Sequence, residues 1–299
     1  MTTGWKARPE AGSPTLLRAF AKTCLALGPR LSRMLLRPVC AYFLLTRRKE
    51  RLASDAYLHR VLDRAPGWRE RWRHFWTFSQ VLLDRVFILG GKHDAITLQP
   101  KRPETLSTAL DEGQGCILMG SHLGSFEASR AIKRARPEVQ LRLVMDRQQS
   151  PAATRFLEAL NPSVAEQVLD IGGNRNAGIA LLNALEQGSL LALLADRARP
   201  GEKTLTVDFL GERAALPAGP FELAMVTQAP VVLFWGLHVA PGTYRVVFER
   251  FPTPPRVARG DRETALHASA QAFADRLAHH AREAPYNWFN FFDFWAHNR

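Results

Sequence analysis

The sequence predicts an α/β fold in which a mixed, largely parallel sheet is flanked by helices and follows an N-terminal basic amphipathic helical segment. Two observations support this prediction. From about residue 115 onward, short apolar runs alternate with amphipathic stretches, as strands alternate with helices in such sheets. Positive charge is concentrated before that body: residues 1–75 hold 16 of the 40 Lys and Arg residues but only 5 of the 28 Asp and Glu residues.

The composition limits the kind of protein. Of the 299 residues, 46% are hydrophobic and 23% are charged, so the chain can bury a large core, which excludes a disordered protein. The three cysteines, Cys24, Cys40 and Cys116, form no C-x-x-C pattern. This spacing argues against a disulfide scaffold and against a cysteine zinc site. We expect the three thiols to be small buried side chains in a reducing compartment.

Apolar residues and single cations alternate at helical spacing over residues 15–46, with helix breaks expected near Pro29 and Pro38. None of the charge-free stretches approaches the roughly 20 residues that cross a bilayer, and the cations argue against a cleavable signal peptide. Apolar faces edged by Lys and Arg are typical of helices that lie in the interface of an anionic membrane. We therefore predict a membrane-interfacial helical segment over 1–75 and an α/β domain over 76–299.

Two alternatives compete with the membrane interpretation of this basic segment. A helical hairpin packed on the body would leave the cations on a solvated face. The second alternative is nucleic-acid binding. It is not expected, because few aromatic or polar side chains that could contact bases stand among the cations. The indoles of Trp68, Trp72 and Trp76 recur every four residues, which predicts one helix face, in the core or as an interfacial anchor.

The body divides into strands and helices by hydrophobic period. Strands are predicted over 116–119, 140–145, 167–171, 190–195, 204–210, 231–237 and 244–251. Helices are predicted over 126–136, 152–160, 177–186, 221–228 and 263–283. Since ligands bind beyond the carboxyl ends of parallel strands, the residues that follow each strand are the first candidates for a site.

The first body strand is followed by Gly-Ser-His-Leu-Gly-Ser-Phe-Glu, residues 120–127. Gly124 allows a sharp turn and Ser125 is a candidate N-cap, so His122 is expected in the turn and Glu127 in the first helical turn. A carboxylate at that position could hydrogen-bond one imidazole nitrogen and fix its tautomer. The other nitrogen could then accept a proton from an attacking hydroxyl.

Other interpretations of His122 are weaker or remain open. Ser121 adjoins it, but Gly-Ser-His-Leu-Gly is not the Gly-x-Ser-x-Gly of a serine nucleophile. A histidine that only caps the loop remains an alternative. No second histidine lies at metal-ligand spacing, so neither a metal nor another cofactor is expected.

The pair His122 and Glu127, preceded by Gly120-Ser121, resembles the His-x4-Asp/Glu motif of the lysophospholipid and lipid A acyltransferase superfamily. Three later blocks also resemble the bacterial lipid A lauroyl and myristoyl acyltransferases: residues 191–197 (LALLADR), residues 207–224 (VDFLGERAALPAGPFELA) and the aromatic stretch 285–295 (PYNWFNFFDFW). Departures such as Met145-Asp146-Arg147 after the second body strand suit a divergent branch of that group.

The resemblance implies a glycerolipid acyltransferase-like sheet and transfer of a fatty acyl group from a thioester to a lipid hydroxyl. His122 is then the expected general base and Glu127 its orienting carboxylate. Further expected substrate-binding residues surround this pair and follow the strands: Ser121, Gly124, Ser125, Arg147, Asp196, Arg197, Gly211 and Gly219. The backbone N–H groups of Gly124 and Ser125 are candidate oxyanion donors. Arg147 and Arg197 could hold a phosphate, or could form surface ion pairs with Asp146 and Asp196.

The expected partners follow from the same resemblance. The donor would be an acyl carrier protein or acyl-CoA, and the acceptor a membrane lipid or glycolipid. The expected location is the cytoplasmic face of a bacterial inner membrane, with the chain bound peripherally or monotopically to an anionic surface. A hydrolase that uses the same dyad, and a non-catalytic membrane-binding module, remain the alternatives.

Overall fold

The computed structural model describes residues 14–113, 115–129, 132, 136–147, 160–161, 166–173, 176–199 and 201–295. The helices with named bounds are α1 Pro14–Thr46, α2 Arg48–Leu62, α3 Trp68–Leu89, α4 Pro103–Asp111, α5 Ala177–Glu186, α6 Gly219–Thr227 and α7 Arg262–Glu283. The strands are β1 Thr97–Lys101, β2 Cys116–Gly120, β3 Leu141–Met145, β4 Val168–Asp170, β5 Leu190–Leu194, β6 Thr204–Phe209, β7 Glu212–Pro217, β8 Val231–Ala240 and β9 Thr243–Phe251.

Seven of these strands form one sheet in the order β1-β9-β8-β2-β5-β3-β4. Neighbouring strands are parallel except β8 and β9, which form an antiparallel hairpin. The predicted mixed, largely parallel sheet is therefore confirmed. Strands β6 and β7 form a separate antiparallel pair.

The central strands β2 and β5 are buried on both faces of the sheet. On one face Ile117 and Leu191 join a core that includes α7. On the other face Cys116 and Leu190 join a second core under α4. Successive side chains of a strand point to opposite faces, so a strand covered on both sides consists of one continuous apolar run. This burial explains the unbroken apolar sequences of the two strands.

Helix α1 presents apolar side chains to two sides. Cys24, Leu36, Cys40 and Leu44 are buried, and they pack in clusters with α3 residues such as Phe75 and Phe87. A second row of large apolar side chains on α1 is between 38% and 63% exposed: Leu27, Leu31, Met34, Leu35, Val39, Tyr42 and Leu45. Among the described residues, no helix is both long enough and apolar enough to cross a membrane.

The N-terminal helices differ in detail from the sequence prediction. Helix α1 is interrupted at Gly28, whose φ of 77° and ψ of 172° are not helical, directly before Pro29. The second expected break is wrong, because the helix continues through Pro38. Helix α3 contains the three predicted indoles; Trp72 and Trp76 stack with ring centroids 6.0 Å apart, and Trp68 is exposed. The predicted boundary after residue 75 lies inside α3.

Most predicted body elements occur near their expected bounds, with clear exceptions. Strands β1 and β7 and helix α4 were not predicted. The expected helix over 126–136 begins as a 3-10 turn over Phe126–Ser129; five of its later residues lie outside the described residues, as does nearly all of the helix expected over 152–160.

Candidate active site

The sheet brings together two loops that are far apart in sequence. Strands β2 and β5 are parallel neighbours, and Gly120 pairs with Leu194 at their carboxyl ends. His122 and Asp196 each lie two residues beyond this last pair. Parallel pairing therefore places the two side chains next to each other, at the edge of the sheet where ligands of α/β folds bind.

The side chains of His122 and Asp196 form a close pair. Nδ1 of His122 lies 2.8 Å from Oδ1 of Asp196, and the backbone N–H of His122 donates to Oδ2 at 3.0 Å. A third donor, Nε1 of Trp288, reaches the same Oδ2 at 3.0 Å. Asp196 has no exposed surface. Burial disfavours its charge, but the field and hydrogen bonds of His122, together with Arg197, lower the pKa of Asp196 to about 2.

The ionised carboxylate decides the tautomer of His122. Because a carboxylate only accepts hydrogen bonds, Nδ1 carries the proton and Nε2 keeps its lone pair. The side chain of His122 is 31% exposed, and Nε2 has no hydrogen-bond partner within the described part of the chain. Burial and the nearby charge of Arg197 lower the pKa of His122, and Asp196 opposes them. The imidazole is thus neutral at neutral pH, the state that a general base requires.

Glu127 takes a different partner from the one that the sequence predicts. Its Oε1 accepts from Nε of Arg85 at 3.0 Å and from Nη2 of the same residue at 2.8 Å. Nδ1 of His122 is bonded to Asp196 instead, which corrects the expected His122–Glu127 hydrogen bond. The reason is geometric: the side chain of Glu127, in the 3-10 turn, reaches Arg85 of α3, whereas Asp196 lies just beyond the end of the neighbouring strand.

The expected oxyanion donors are also occupied. The N–H of Gly124 donates to the carbonyl of Asn287 at 2.8 Å, and the N–H of Ser125 donates to the carbonyl of Gly236 at 2.7 Å. These two groups therefore hold the His122 loop between β8 and the C-terminal segment. Ser121 is buried, and its hydroxyl accepts from the N–H of Leu123 at 3.2 Å.

Arg197 is held beside the pair by the segment that contains Trp288. Its Nε donates to Oδ1 of Asn290 at 2.6 Å, its Nη2 donates to the carbonyl of Phe289 at 2.9 Å, and its guanidinium lies 5.4 Å from the ring centroid of Phe292. Burial lowers the pKa of Arg197 to about 10, so it remains charged at neutral pH. The alternative of a surface ion pair with Asp196 does not describe this buried arrangement.

The other expected site residues lie further out. Arg147 follows β3, beside β5 in the sheet, and its N–H donates to Asp170 at 3.2 Å. Asp146 forms an ion pair with Arg199, at 3.6 Å. Gly211 lies at the exposed turn between β6 and β7, and Gly219 begins α6. Among the described residues, none of the hydrogen bonds around His122 and Asp196 reaches these two glycines.

Sequence reasoning missed Asp196 as the partner of His122 and missed Trp288 altogether. The C-terminal segment also closes the His122 loop from the other side, because the N–H of Phe289 donates to the carbonyl of His122 at 3.2 Å. The available signals were the aspartate at the end of the apolar strand 190–195 and the aromatic stretch 285–295. An aromatic stretch by itself does not indicate a hydrogen bond to a buried carboxylate.

A possible set of metal ligands lies on α7, formed by His279, His280 and Glu283. Nδ1 of His280 already bonds Glu283 at 3.0 Å, and Nε2 bonds Glu249 at 2.8 Å. The guanidinium of Arg276 also donates to Glu249 at 2.7 Å. These contacts form a charge network along α7, and they engage both ring nitrogens of His280 with carboxylates.

Comparison with known proteins shows the family of the chain. Residues 85–298 match the family model of the bacterial lipid A biosynthesis acyltransferases. The chain is also 28% identical over 211 residues to the phosphatidylinositol mannoside acyltransferase of Mycolicibacterium smegmatis (strain ATCC 700084 / mc(2)155). The match covers 67% of this chain and 61% of that relative's length. With its α/β sheet and the site after β2 within the matched region, the chain belongs to the bacterial lipid A biosynthesis acyltransferase family.

Proposed function

We propose that this chain transfers a fatty acyl group from an acyl thioester to a hydroxyl group of a membrane lipid or glycolipid. The observation that carries the proposal is the His122–Asp196 pair: a buried carboxylate on Nδ1 and a partly exposed Nε2 with its lone pair available. This arrangement suits a general base for an acceptor hydroxyl. Family membership supports acyl transfer, and the geometry supports the choice of base.

In the proposed reaction, Nε2 of His122 takes the proton of the acceptor hydroxyl while the hydroxyl oxygen attacks the thioester carbonyl carbon. The tetrahedral intermediate then expels the thiolate, which receives the proton from the imidazolium. The acyl group ends as an ester on the acceptor and the donor leaves as a free thiol. Asp196 stabilises the imidazolium that forms between the two steps. The thioester is already activated, so no acyl-enzyme is required.

Positively charged side chains near His122 are suited to stabilise the oxyanion that forms in this mechanism. Both Arg197 and Arg85 lie close enough to lower the pKa of His122. A developing oxyanion beside the imidazole would be stabilised by these fixed cations. The side chain of Arg85 is 34% accessible, and Glu127 holds its guanidinium in place. In this proposal Glu127 acts on the reaction through Arg85.

The acceptor is proposed to be a glycolipid or a related lipid with a polar headgroup. The name of the mycobacterial relative, a phosphatidylinositol mannoside acyltransferase, supports this class. The donor is proposed to be an acyl thioester carried on acyl carrier protein or coenzyme A. Arg147 and Arg197 follow adjacent strands at the same edge of the sheet, where either could meet a phosphate of donor or acceptor.

We also propose that α1 holds the chain against an anionic membrane, at the cytoplasmic face of a bacterial inner membrane. The exposed apolar row on α1 is accompanied by exposed cations: Arg30, Arg37, Arg47 and Arg48. An apolar stripe edged by Arg is suited to a helix at the headgroup boundary. The buried side of α1 against α3 keeps this stripe on the outside.

The membrane proposal predicts weaker vesicle binding when the stripe is made polar. Leu31→Gln with Met34→Gln should lower the affinity for vesicles of phosphatidylglycerol and phosphatidylethanolamine by at least about tenfold, since each large apolar side chain contributes roughly 1.5–3 kcal/mol on burial. The matched control is Thr23→Gln, an exposed polar position on the same helix. Cosedimentation with vesicles measures binding. Equal binding of both variants and the parent would contradict the proposal.

The function itself is tested by lipid analysis of cells that lack the protein, cells that express it, and cells that express His122→Ala. We expect one lipid to gain the mass of one acyl chain with the parent protein only. The variant should be slower by about 10²- to 10⁴-fold, the usual contribution of a positioned base. A lipid that gains an acyl chain equally with His122→Ala would contradict the proposed base.

The same samples separate the alternatives. If a lipid or thioester disappears and free fatty acid accumulates, the pair activates water and the chain is a hydrolase. If no lipid changes mass and Ala at both His122 and Glu127 leaves the biological effect intact, the chain is a membrane-binding module without catalysis.

A further inference from the structure

Asp196 depends on a donor from outside its own loop. Its carboxylate carries a charge with no exposed surface, and Oδ2 receives the indole N–H of Trp288 at 3.0 Å in addition to the backbone N–H of His122. Two donors on Oδ2 fix the plane of the carboxylate and leave Oδ1 directed at Nδ1 of His122. A carboxylate that lost one of them could rotate, and an ion buried without its partners is strongly destabilised.

Trp288 is itself fixed on every side. It is completely buried, and four aromatic rings contact its indole edge to face: Tyr57 at 5.0 Å, Phe209 at 5.1 Å, Phe294 at 4.8 Å and Trp295 at 6.1 Å between centroids. Its backbone pairs with Leu123, the residue after His122, in an isolated β-bridge. The indole therefore has one position relative to the His122 loop.

A buried histidine holds the backbone of Trp288 from the N-terminal helices. Nε2 of His74 lies 2.9 Å from the carbonyl oxygen of Trp288, and Nδ1 lies 2.8 Å from the hydroxyl of Ser54. Burial lowers the pKa of His74 to about 4, so the ring is neutral at neutral pH. A carbonyl only accepts, so Nε2 carries the single proton and the hydroxyl of Ser54 donates to Nδ1.

We propose that Trp288 is a positioning residue for the His122–Asp196 pair, and that Ser54 and His74 hold it there from α2 and α3. This inference rests on the proposed function and extends it. The N-terminal helices then do more than bind a membrane: one continuous series of hydrogen bonds joins α2, α3, the C-terminal segment, Asp196 and His122. Trp288 has no exposed surface, so it acts on the reaction only through Asp196.

The test compares two indoles of the same aromatic cluster. Trp288→Phe removes the donor to Asp196, whereas Trp295→Phe removes an indole N–H that is buried without a hydrogen-bond partner among the described residues. Trp295 is 2% exposed, and its ring contacts that of Trp288 at 6.1 Å. We expect Trp288→Phe to lower kcat by about 10- to 100-fold with KM unchanged, the usual effect of a lost hydrogen bond to a charge. Trp295→Phe should change kcat by less than about threefold.

A second measurement does not need activity. NMR titration of the His122 imidazole should give a higher pKa in Trp288→Phe than in the parent, because Asp196 no longer shares its charge with the indole. The other charged groups that act on His122 are Arg197 and Arg85, with Glu127 behind Arg85, and they are the same in both proteins. Trp295→Phe should leave the titration unchanged.

The outcomes separate this inference from the proposed function. If His122→Ala abolishes acyl transfer while Trp288→Phe behaves like Trp295→Phe in kcat and in titration, the positioning role is wrong and the function stands. If cells with His122→Ala show the same lipid masses as cells with the parent protein, while the pKa of His122 shifts in Trp288→Phe, the proposed function is wrong and the positioning contact stands.

A second pair of variants covers the case in which Trp288→Phe does not fold. His74→Gln keeps a side-chain N–H that can donate to the Trp288 carbonyl, and His74→Leu has none. We expect His74→Gln to retain at least about tenfold more activity than His74→Leu at equal thermal stability. Equal activity of the two folded variants would overturn the role of His74 in holding Trp288.

Discussion

Asp196 carries a negative charge inside the protein, and three N–H groups compensate for the lost water. Two of these donors come from His122 and one from Trp288. Hydrogen bonds to a charged group are worth more than those between neutral groups, which explains how a fully buried carboxylate keeps a pKa of about 2. Because these contacts keep Asp196 ionised, its carboxylate accepts a hydrogen bond from the protonated Nδ1 of His122. Nε2 of His122 therefore carries no proton.

Exchange of Asp196 and of Glu127 for the corresponding amides distinguishes the roles of the two carboxylates. Asp196→Asn should lower kcat by about 10³- to 10⁴-fold, because an amide N–H directed at Nδ1 favours the tautomer that protonates Nε2. Glu127→Gln should cost less, about tenfold, since it weakens the ion pair with Arg85 and leaves the Asp196–His122 contact in place. Steady-state kinetics of both variants measures the difference. A larger loss in Glu127→Gln would restore Glu127 as the orienting carboxylate.

His122, the base that we propose, could be predicted as a site residue from the sequence, but its hydrogen-bond partner Asp196 could not. His122 stands between two glycines directly after a predicted buried strand, which indicates a site. Glu127 is the nearest carboxylate along the chain, whereas Asp196 is 74 residues away. Only the strand order, which the hydrophobic pattern does not contain, makes β2 and β5 neighbours. Trp288 was missed for the same reason, because its contact with Asp196 spans 92 residues.

At the level of elements, the His122 loop is held against β8 by two glycines. Gly124 has a φ of 75°, and a Cβ on it would overlap the carbonyl oxygen of Gly236. A Cβ on Gly236 would in turn overlap the carbonyl oxygen of Ser125. The two backbones therefore approach as closely as they do because neither residue has a side chain.

Gly124→Ala should accordingly displace the loop. The expected cost in the free energy of unfolding is about 2 kcal/mol or more, from the left-handed φ and the overlap together, and activity should fall with it. Gly188→Ala is the matched control, because Gly188 has a φ of 76° and an added Cβ would lie in open space. Urea denaturation measures both. If the two variants lose equal stability, the close approach to β8 has no energetic consequence.

The two strands that sequence analysis missed have weak hydrophobic patterns. Strand β1, TLQPK, is an edge strand with four of its five residues exposed, and it contains a proline. Strand β7 begins with the exposed residues Glu212 and Arg213. Both strands are specified by pairing with a partner more than by their own apolar period, so a window along the sequence cannot identify them.

At the level of the whole molecule, two histidines with lowered pKa values make the stability of the protein depend on pH. The pKa of His74 is lowered to about 4 by burial, and that of His238 is lowered to about 4 by burial and by the charge of Arg33. An unfolded histidine titrates near 6.5. Since the folded pKa is the lower one, the unfolded chain binds more protons between these values. Stability is therefore complete above about pH 6.5 and is lost as the pH falls toward 4.

This linkage predicts a measurable loss on acidification. When the pH falls from about 7 to about 5, proton uptake by His74 in the unfolded chain should alone reduce the free energy of unfolding by roughly 2 kcal/mol. In His74→Gln this part of the pH dependence should disappear, so the difference between the two proteins narrows at the lower pH. Chemical denaturation at both pH values measures it. A constant difference across the range would contradict a neutral buried His74.

The hydrogen bond between His74 and Trp288 spans 214 residues, and that between Trp288 and Asp196 spans 92. Translation supplies these residues in order, so a nascent chain exposes His122 and Asp196 well before the ribosome has made Trp288. During that interval the acidic side chain lacks its indole partner, and the loop lacks the carbonyl of Asn287 that receives the N–H of Gly124. Assembly of the His122–Asp196–Trp288 geometry is therefore a late event in biosynthesis, after all residues of α1, α2 and α3 have been synthesised.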